Sequence, residues 1–387
     1  MVRPANPLAG VKRLTIKIGS SLLVDAASGQ LRHDWLKSLC ADIAALKQEG
    51  CDVIVVSSGA VALGRAILNL TSAKKPLTLD QAQAAASVGQ IALSQAWRDA
   101  LAEHGVITGQ ILVTPNITEE RRQFLNARAT LSTLLALGAV PIINENDTVA
   151  TAEIRYGDND RLSARMAAMA NADMLLLFSD VDGLYTAPPG SSADATHIPL
   201  VETISPEIEA MAGGAASHLS RGGMATKIDA ARIATGSGTA MIIAKGAAFH
   251  PIRAVIEGAR HTYFPARQSG AAARKRWILG TLDISGQIHI DAGAARALKS
   301  GKSLLPIGVT AISGHFNRGD TLGIFGPDNV ELARGLASMS GEEAQLAKGH
   351  KSGEIADLLG PSSRTELVHA DNLVLLASDA AKPVMSE

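Results

Sequence analysis

Six short loops hold residues whose types and spacing suit chemistry. Lys17-Ile18-Gly19-Ser20-Ser21 puts a cation beside a glycine whose bare backbone lets an N–H approach an anion. Ser57-Ser58-Gly59-Ala60 precedes a helical stretch with Gly64, and such small residues leave N–H groups at a helix start open to an anion. Asn144-Glu145-Asn146-Asp147 and Gly157-Asp158-Asn159-Asp160 together carry seven acidic or amide side chains. Charged groups must be solvated, paired or in use. These two loops suit a polar pocket for a small ligand bearing both an amine and a carboxylate. Ser179-Asp180-Val181-Asp182-Gly183-Leu184-Tyr185 is an acidic turn fit to border a nucleotide. Arg221-Gly222-Gly223-Met224-Ala225-Thr226-Lys227 opens a helix with paired glycines and a cation, a phosphate-binding combination. Taken singly, each loop also reads as an ordinary turn or a solvated surface loop. Their order along one chain is the stronger signal.

Each loop follows or opens a regular element. Leu14 to Ile18, Val53 to Val56, Ile107 to Val113, Ala139 to Ile143, Met174 to Phe178 and Met241 to Ile243 are runs rich in apolar residues that read as strands. Between them, Asp34 to Gln48, Asp80 to His104, Arg161 to Ala170 and Lys227 to Thr235 read as helices. Strands buried on both faces and alternating with helices predict a three-layer α/β/α fold around a mostly parallel sheet. Ligands on such sheets bind beyond the carboxyl ends of the strands, where these loops lie. The pattern changes after residue 260: HTYFPARQSGAAARKRW has no clear period, and ILGTLD, GQIHID, GVTAIS, GDTLGIFG and ELARGLAS read as short strands with close turns. A helix over Ala292 to Lys299 interrupts them. The expected division is a domain over 1–262, a linker over 263–277, a small β-barrel-like module over 278–375 and a tail over 376–387.

Composition narrows the class. The chain has 387 residues with 36 Lys+Arg against 37 Asp+Glu, and a net charge of -1 argues against a surface devoted to nucleic acid. Two or three domains fit that length. Two cysteines, Cys40 and Cys51, make no disulfide framework and lack metal-ligand spacing, which points to a reducing compartment. The N-terminus MVRPANPLAGVKR has no apolar signal-peptide core, Gln81 to Trp97 is too polar to span a membrane, and Ala129 to Asn144 is broken by Gly138 and Pro141. A cytoplasmic protein is the expectation. Gly301-Lys302-Ser303 imitates the end of a P-loop, but Arg296 stands where the first glycine is required. Gly236-Ser237-Gly238 follows a helix and precedes a strand, the reverse of a dinucleotide turn. The ten histidines form no metal-binding pair, and no G-x-S-x-G elbow is present.

The set IKIGSS, VVSSGAVALG, PIINENDTVAT, YGDNDRLSA, LLFSDVDGLYT and RGGMATK resembles the amino acid kinase family. GQIHIDAGAARAL and SLLPIGVTAISGHFNRGD resemble a PUA domain, so the resemblance spans nearly the whole chain. It implies transfer of the γ-phosphoryl group of ATP, with Mg²⁺, to the side-chain carboxylate of L-glutamate. By similarity Lys17 and Lys227 would flank the transferring group and Asp160 would hold them. Ser58, Asp147 and Asn159 would bind glutamate, with Asn144 and Asn146 lining the same loop. Lys17, Ser179 and Asp180, with Arg221, Gly222, Gly223, Met224, Ala225, Thr226 and Lys227, would bind ATP. Ser179 stands where the family more often has Thr, and Arg221 likewise; the first keeps its hydroxyl. Mg²⁺ would ride on the ATP phosphates with several waters, so no dedicated protein metal site is expected. A homo-oligomer, dimer or tetramer, is the family's usual state. Two other readings compete: a carboxylate kinase of the same family with a different amino acid, and an RNA-binding protein acting through the PUA-like module. For the latter the support is Arg267, Arg274, Lys275 and Arg276, a short run near acidic stretches such as GEEAQ and SGEIAD, for which a solvated linker is the simpler account.

Overall fold

Runs of β-branched and aliphatic residues build a central sheet, with amphipathic helices on its faces. The computed structural model describes residues 6–25, 28–70, 77–114, 121–149, 159–187, 195–213, 223–267, 284–360 and 363–376. The chain divides into two compact units, 1–270 and 271–387.

The first unit begins with β1 (Arg13–Ile18), α1 (Ser20–Leu23), α2 (His33–Gln48), β2 (Asp52–Ser57), α3 (Ala60–Ile67) and α4 (Leu79–Ala102). It continues through β3 (Thr108–Val113), α5 (Arg121–Ala136), β4 (Val140–Glu145), α6 (Asn159–Ala170) and β5 (Met174–Ser179). A small hairpin, β6 (Leu184–Tyr185) and β7 (His197–Ile198), precedes α7 (Pro206–Met211), α8 (Met224–Gly236), β8 (Ala240–Lys245), α9 (Pro251–Ile256) and β9 (His261–Phe264). Seven strands form one sheet in the order β3-β4-β2-β1-β5-β8-β9. All neighbours run parallel except β8 and β9. The parallel strands therefore end at one edge, and β1 lies in the middle, with Lys17 in register with Val56 on β2 and Leu177 on β5.

Alternation within the strands explains the layering. Val53 and Val55 of β2 pack with Trp35, Leu39, Ile43 and Trp97 of α2 and α4, in one core cluster. Ile54 and Val56 point the other way, into a cluster with Leu131, Leu162 and Met166 of α5 and α6. In β5, Leu176 and Phe178 join the first cluster while Leu175 and Leu177 meet Ile228 and Ala231 of α8. A strand buried on both faces has no polar alternation, which is why these segments read as continuous apolar runs.

The second unit contains β10 (Gly286–Ile290), α10 (Ala292–Lys299), β11 (Val309–Gly314), β12 (Thr321–Phe325), β13 (Glu331–Leu336), α11 (Gly341–Ala347), α12 (Ile355–Leu359) and β14 (Leu373–Leu375). Its sheet has the order β11-β10-β12-β13-β14, with β10 and β12 parallel and the other pairs antiparallel. Asp291 caps α10 by accepting from Ala294 N at 2.7 Å.

The boundary expected at 262 needs correction, because it falls inside β9. Thr262 pairs with Ile243 of β8, and its hydroxyl accepts from Leu184 N at 2.7 Å. A four-residue strand closed by Pro265 has too little length for a period to be read. Tyr263 and Phe264, placed in the linker by the sequence, thus complete the sheet. The rest of that linker from 268 on, the strand expected over Ile278 to Asp283 and the tail over 377–387 lie outside the described residues.

Candidate active site

The carboxyl ends of β4, β2, β1 and β5 and the first turns of α6 and α8 supply the polar groups. Lys17 is the fifth residue of β1 and Asp160 the second of α6. Lys227 is in the first turn of α8, which starts after Gly223. Lys17 Nζ is ion-paired with Asp160 Oδ1, and Lys227 Nζ lies 3.1 Å from Asp160 Oδ2. Thr226 Oγ1 is also 3.1 Å from Asp160 Oδ2 and 2.8 Å from Gly223 O, its single hydrogen serving one at a time. Asp160 is 1% exposed, Lys17 8% and Lys227 7%. Burial alone would raise the Asp160 pKa, but the charges of Lys17 and Lys227 outweigh it and hold the carboxyl below its ordinary value. Two ammonium groups against one carboxylate leave an excess positive charge at the sheet edge. That excess, little screened at such depth, suits an anionic ligand.

Beside this cluster runs a chain of neutral groups. Asn159 Nδ2 lies 2.6 Å from Ser58 Oγ, 3.2 Å from Asn144 Oδ1 and 3.3 Å from Ser57 O. Asn144 Nδ2 donates to Gln90 Oε1 of α4 at 2.7 Å. Trp97, two turns further along α4, donates its indole N–H to Ser57 Oγ at 3.0 Å. α4 therefore braces the ends of both β2 and β4.

Asn144 does not share the loop of Asn146 that the sequence suggested for it. Asn144 and Glu145 are the last, buried residues of β4, so the loop starts at Asn146. Asn146 N donates to Val113 O at 2.7 Å, and Asn146 Oδ1 bonds the Thr148 hydroxyl. Asn146 and Asp147 line a cavity of about 270 Å³ with Ser87, Gln90, Gln110 and Glu145 among its walls. Ser179 closes β5 and donates to Asp180 Oδ1 at 2.8 Å. That bond, together with the Lys227 charge, lowers the Asp180 pKa against a smaller effect of burial. Gly223, Met224 and Ala225 form the start of α8, whereas Arg221 and Gly222, with Gly157 and Asp158, lie outside the described residues.

The amino acid kinase family model matches residues 12–245, more than half of the chain. The chain belongs to the amino acid kinase family. The PUA domain model matches residues 286–359, which places that module in the second unit. Curated relatives named "Glutamate 5-kinase" include one from Agrobacterium fabrum, 58% identical over 96% of this chain and 94% of its own length. Another, from Allorhizobium ampelinum, is 56% identical over 99% of this chain and 97% of its own. "Glutamate 5-kinase 1" from Rhizobium meliloti is 56% identical with the same coverage. As a kinase of this family the protein takes ATP as co-substrate.

Several supporting residues of this amino acid kinase family member escaped the sequence reading. Gln90 and Trp97 sit in an Ala-rich helix with no local mark of contact to β4 or β2. Arg161 and Asp229 flank the ion cluster and join α6 to α8, with Arg161 Nε 3.2 Å from Asp229 Oδ2. Their positions next to Asp160 and close to Lys227 were the available signal. Among the described residues no three His, Cys, Asp or Glu side chains converge as metal ligands, and no helix is long and apolar enough to cross a membrane.

Proposed function

We propose that this protein transfers the γ-phosphoryl group of ATP to the side-chain carboxylate of L-glutamate, giving L-glutamyl 5-phosphate and ADP, the first step of proline biosynthesis. The observation that carries this reading is the buried Lys17–Asp160–Lys227 cluster beside the Ser58–Asn159 pair. It sets cations for phosphate next to polar groups for a carboxylate. The identity of 58% to a protein named for that activity supports it.

In this reading a glutamate carboxylate oxygen bonds to the γ-phosphorus, and the bond to the bridging oxygen of ADP breaks. The nucleophile is already ionised at neutral pH, so no strong base is needed. Two anions must meet, and Lys17 and Lys227 offset their repulsion. Asp160 holds the two ammonium groups apart and in place. Ser58, Asn159, Asn144, Asn146 and Asp147 surround the amino acid, the Asp147 carboxylate being suited to its α-amino group. Ser179, Asp180 and the segment 221–227 would bind ATP. Mg²⁺ supplies charge neutralisation on the phosphates when bound. With Asp160 committed to two lysines and no three-ligand cluster among the described residues, ATP oxygens and waters would be its main ligands. The first unit would carry catalysis, the PUA domain would serve regulation or assembly, and the protein would work in the cytoplasm as a homo-oligomer.

The test is ADP release from ATP and Mg²⁺ with L-glutamate, L-aspartate, N-acetylglutamate or no acceptor. Release that depends on glutamate alone is expected. Equal release with aspartate or N-acetylglutamate, or none with any acceptor, would overturn the reading.

A further inference from the structure

Gln90 lies outside every motif that pointed to the site, yet it ends the chain of amides that reaches Ser58. Amide oxygen and nitrogen have opposite hydrogen-bonding roles, so such a chain has a direction. Asn144 is 3% exposed, and its NH₂ must find an acceptor within the protein. Gln90 Oε1, 2.7 Å away, is that acceptor. With its NH₂ committed there, Asn144 turns Oδ1 toward Asn159 Nδ2 at 3.2 Å. The Asn159 NH₂, which also faces the Ser57 carbonyl at 3.3 Å, points to Ser58 Oγ at 2.6 Å, so the hydroxyl accepts and its own hydrogen stays available to donate. A carboxylate accepts and cannot donate, so it needs this polarity and not the reverse.

The backbone leaves Gln90 little freedom. Its neighbour Gly89 packs so tightly on α3 that an added Cβ would lie 1.8 Å from Ala60 O. Gln90 also lines the 270 Å³ cavity beside Asn146 and Asp147, next to where the amino acid would sit.

We propose that Gln90 is a positioning residue that, from the Asn144 end and together with the Ser57 carbonyl at the Asn159 end, holds the polarity of the Gln90–Asn144–Asn159–Ser58 chain, so that the Ser58 hydroxyl presents its hydrogen to the acceptor carboxylate. The last clause rests on the carboxylate-kinase reading above; the polarity itself does not.

The test uses the full-length enzyme. Gln90→Met keeps the length of the side chain and removes the acceptor. It should raise the glutamate KM about tenfold, as expected for one lost hydrogen bond, and leave the ATP KM unchanged. In a Ser58→Ala background the same substitution should add less than about twofold, because both changes act through one hydroxyl. An unchanged KM in the single variant, or a full tenfold effect in both backgrounds, overturns the proposal. A second readout needs no turnover: side-chain amide hydrogen exchange of Asn159, assigned by its loss in Asn159→Asp. Exchange should accelerate in Gln90→Met and stay slow in Gln90→Glu, which keeps an acceptor oxygen. Equal rates in wild type and Gln90→Met would overturn the polarity. A wild-type enzyme inactive with glutamate would sink the activity reading alone, and amide exchange would still decide the role of Gln90.

Discussion

Lys17 and Lys227 approach the same carboxylate from different elements, one from the central strand and one from a helix start. Long ammonium side chains held this way would lose little further freedom when a phosphate arrives, so in the proposed transfer their charge is preorganised for the transition state. Lys17→Ala and Lys227→Ala should each lower kcat by about a hundredfold or more, with a smaller change in the glutamate KM. Near-wild-type kcat in either variant would remove that lysine from the mechanism. Asp160 carries a pH prediction. Its folded-state pKa lies below the ordinary value, so its stabilising effect is complete above about pH 4, the unfolded carboxylate range, and is lost as pH falls through the lower folded value. Asp160→Asn leaves two buried ammonium groups facing each other and should cost about 3–5 kcal/mol at neutral pH. The gap in melting temperature between the two proteins should shrink on acidification below about pH 4. A constant gap across that range would contradict the assignment.

At the scale of elements, α3 and α4 meet backbone to backbone. A Cβ at Gly64 would lie 1.7 Å from Ala85 O, and one at Gly89 would lie 1.8 Å from Ala60 O. No rotamer change relieves a clash with main chain, so either alanine must push the helices apart. α4 carries Gln90 and Trp97, the braces of β4 and β2. Gly89→Ala should therefore lower stability by about 1–3 kcal/mol and also raise the glutamate KM. Thermal unfolding and steady-state kinetics of the one variant check both effects. Lost stability with an unchanged KM would separate the helix contact from the site.

At the scale of the whole molecule, the two units have separate cores, and every site residue named here belongs to the first. A truncation ending at Gly270 should fold and keep glutamate-dependent ADP release. One ending at 260 removes β9, uncovers the edge of β8 and takes away the Thr262 hydroxyl that holds the hairpin after β5. It should aggregate or lose activity. Soluble, folded protein ending at Gly270 without activity would mean that the PUA domain completes the catalytic site.

The sequence by itself determined the parallel sheet, the helices between its strands and the strand ends that carry the candidate site. Those properties are local: a strand buried on both faces is written as a continuous apolar run, and a glycine-rich turn beside a lysine is written in adjacent residues. Lys17, Ser58, Asn159, Asp160 and Lys227 were legible for that reason. Only the tertiary structure decided that Asn144 ends a strand instead of opening a loop, and that β9 closes the sheet beyond residue 262. It also placed Gln90 against Asn144. A glutamine in an Ala-rich helix carries no mark of its partner, because the partner lies 54 residues away on a strand. Which amide faces which is settled by packing across that distance, where the close contact of Gly64 and Gly89 fixes how near α4 stands to α3.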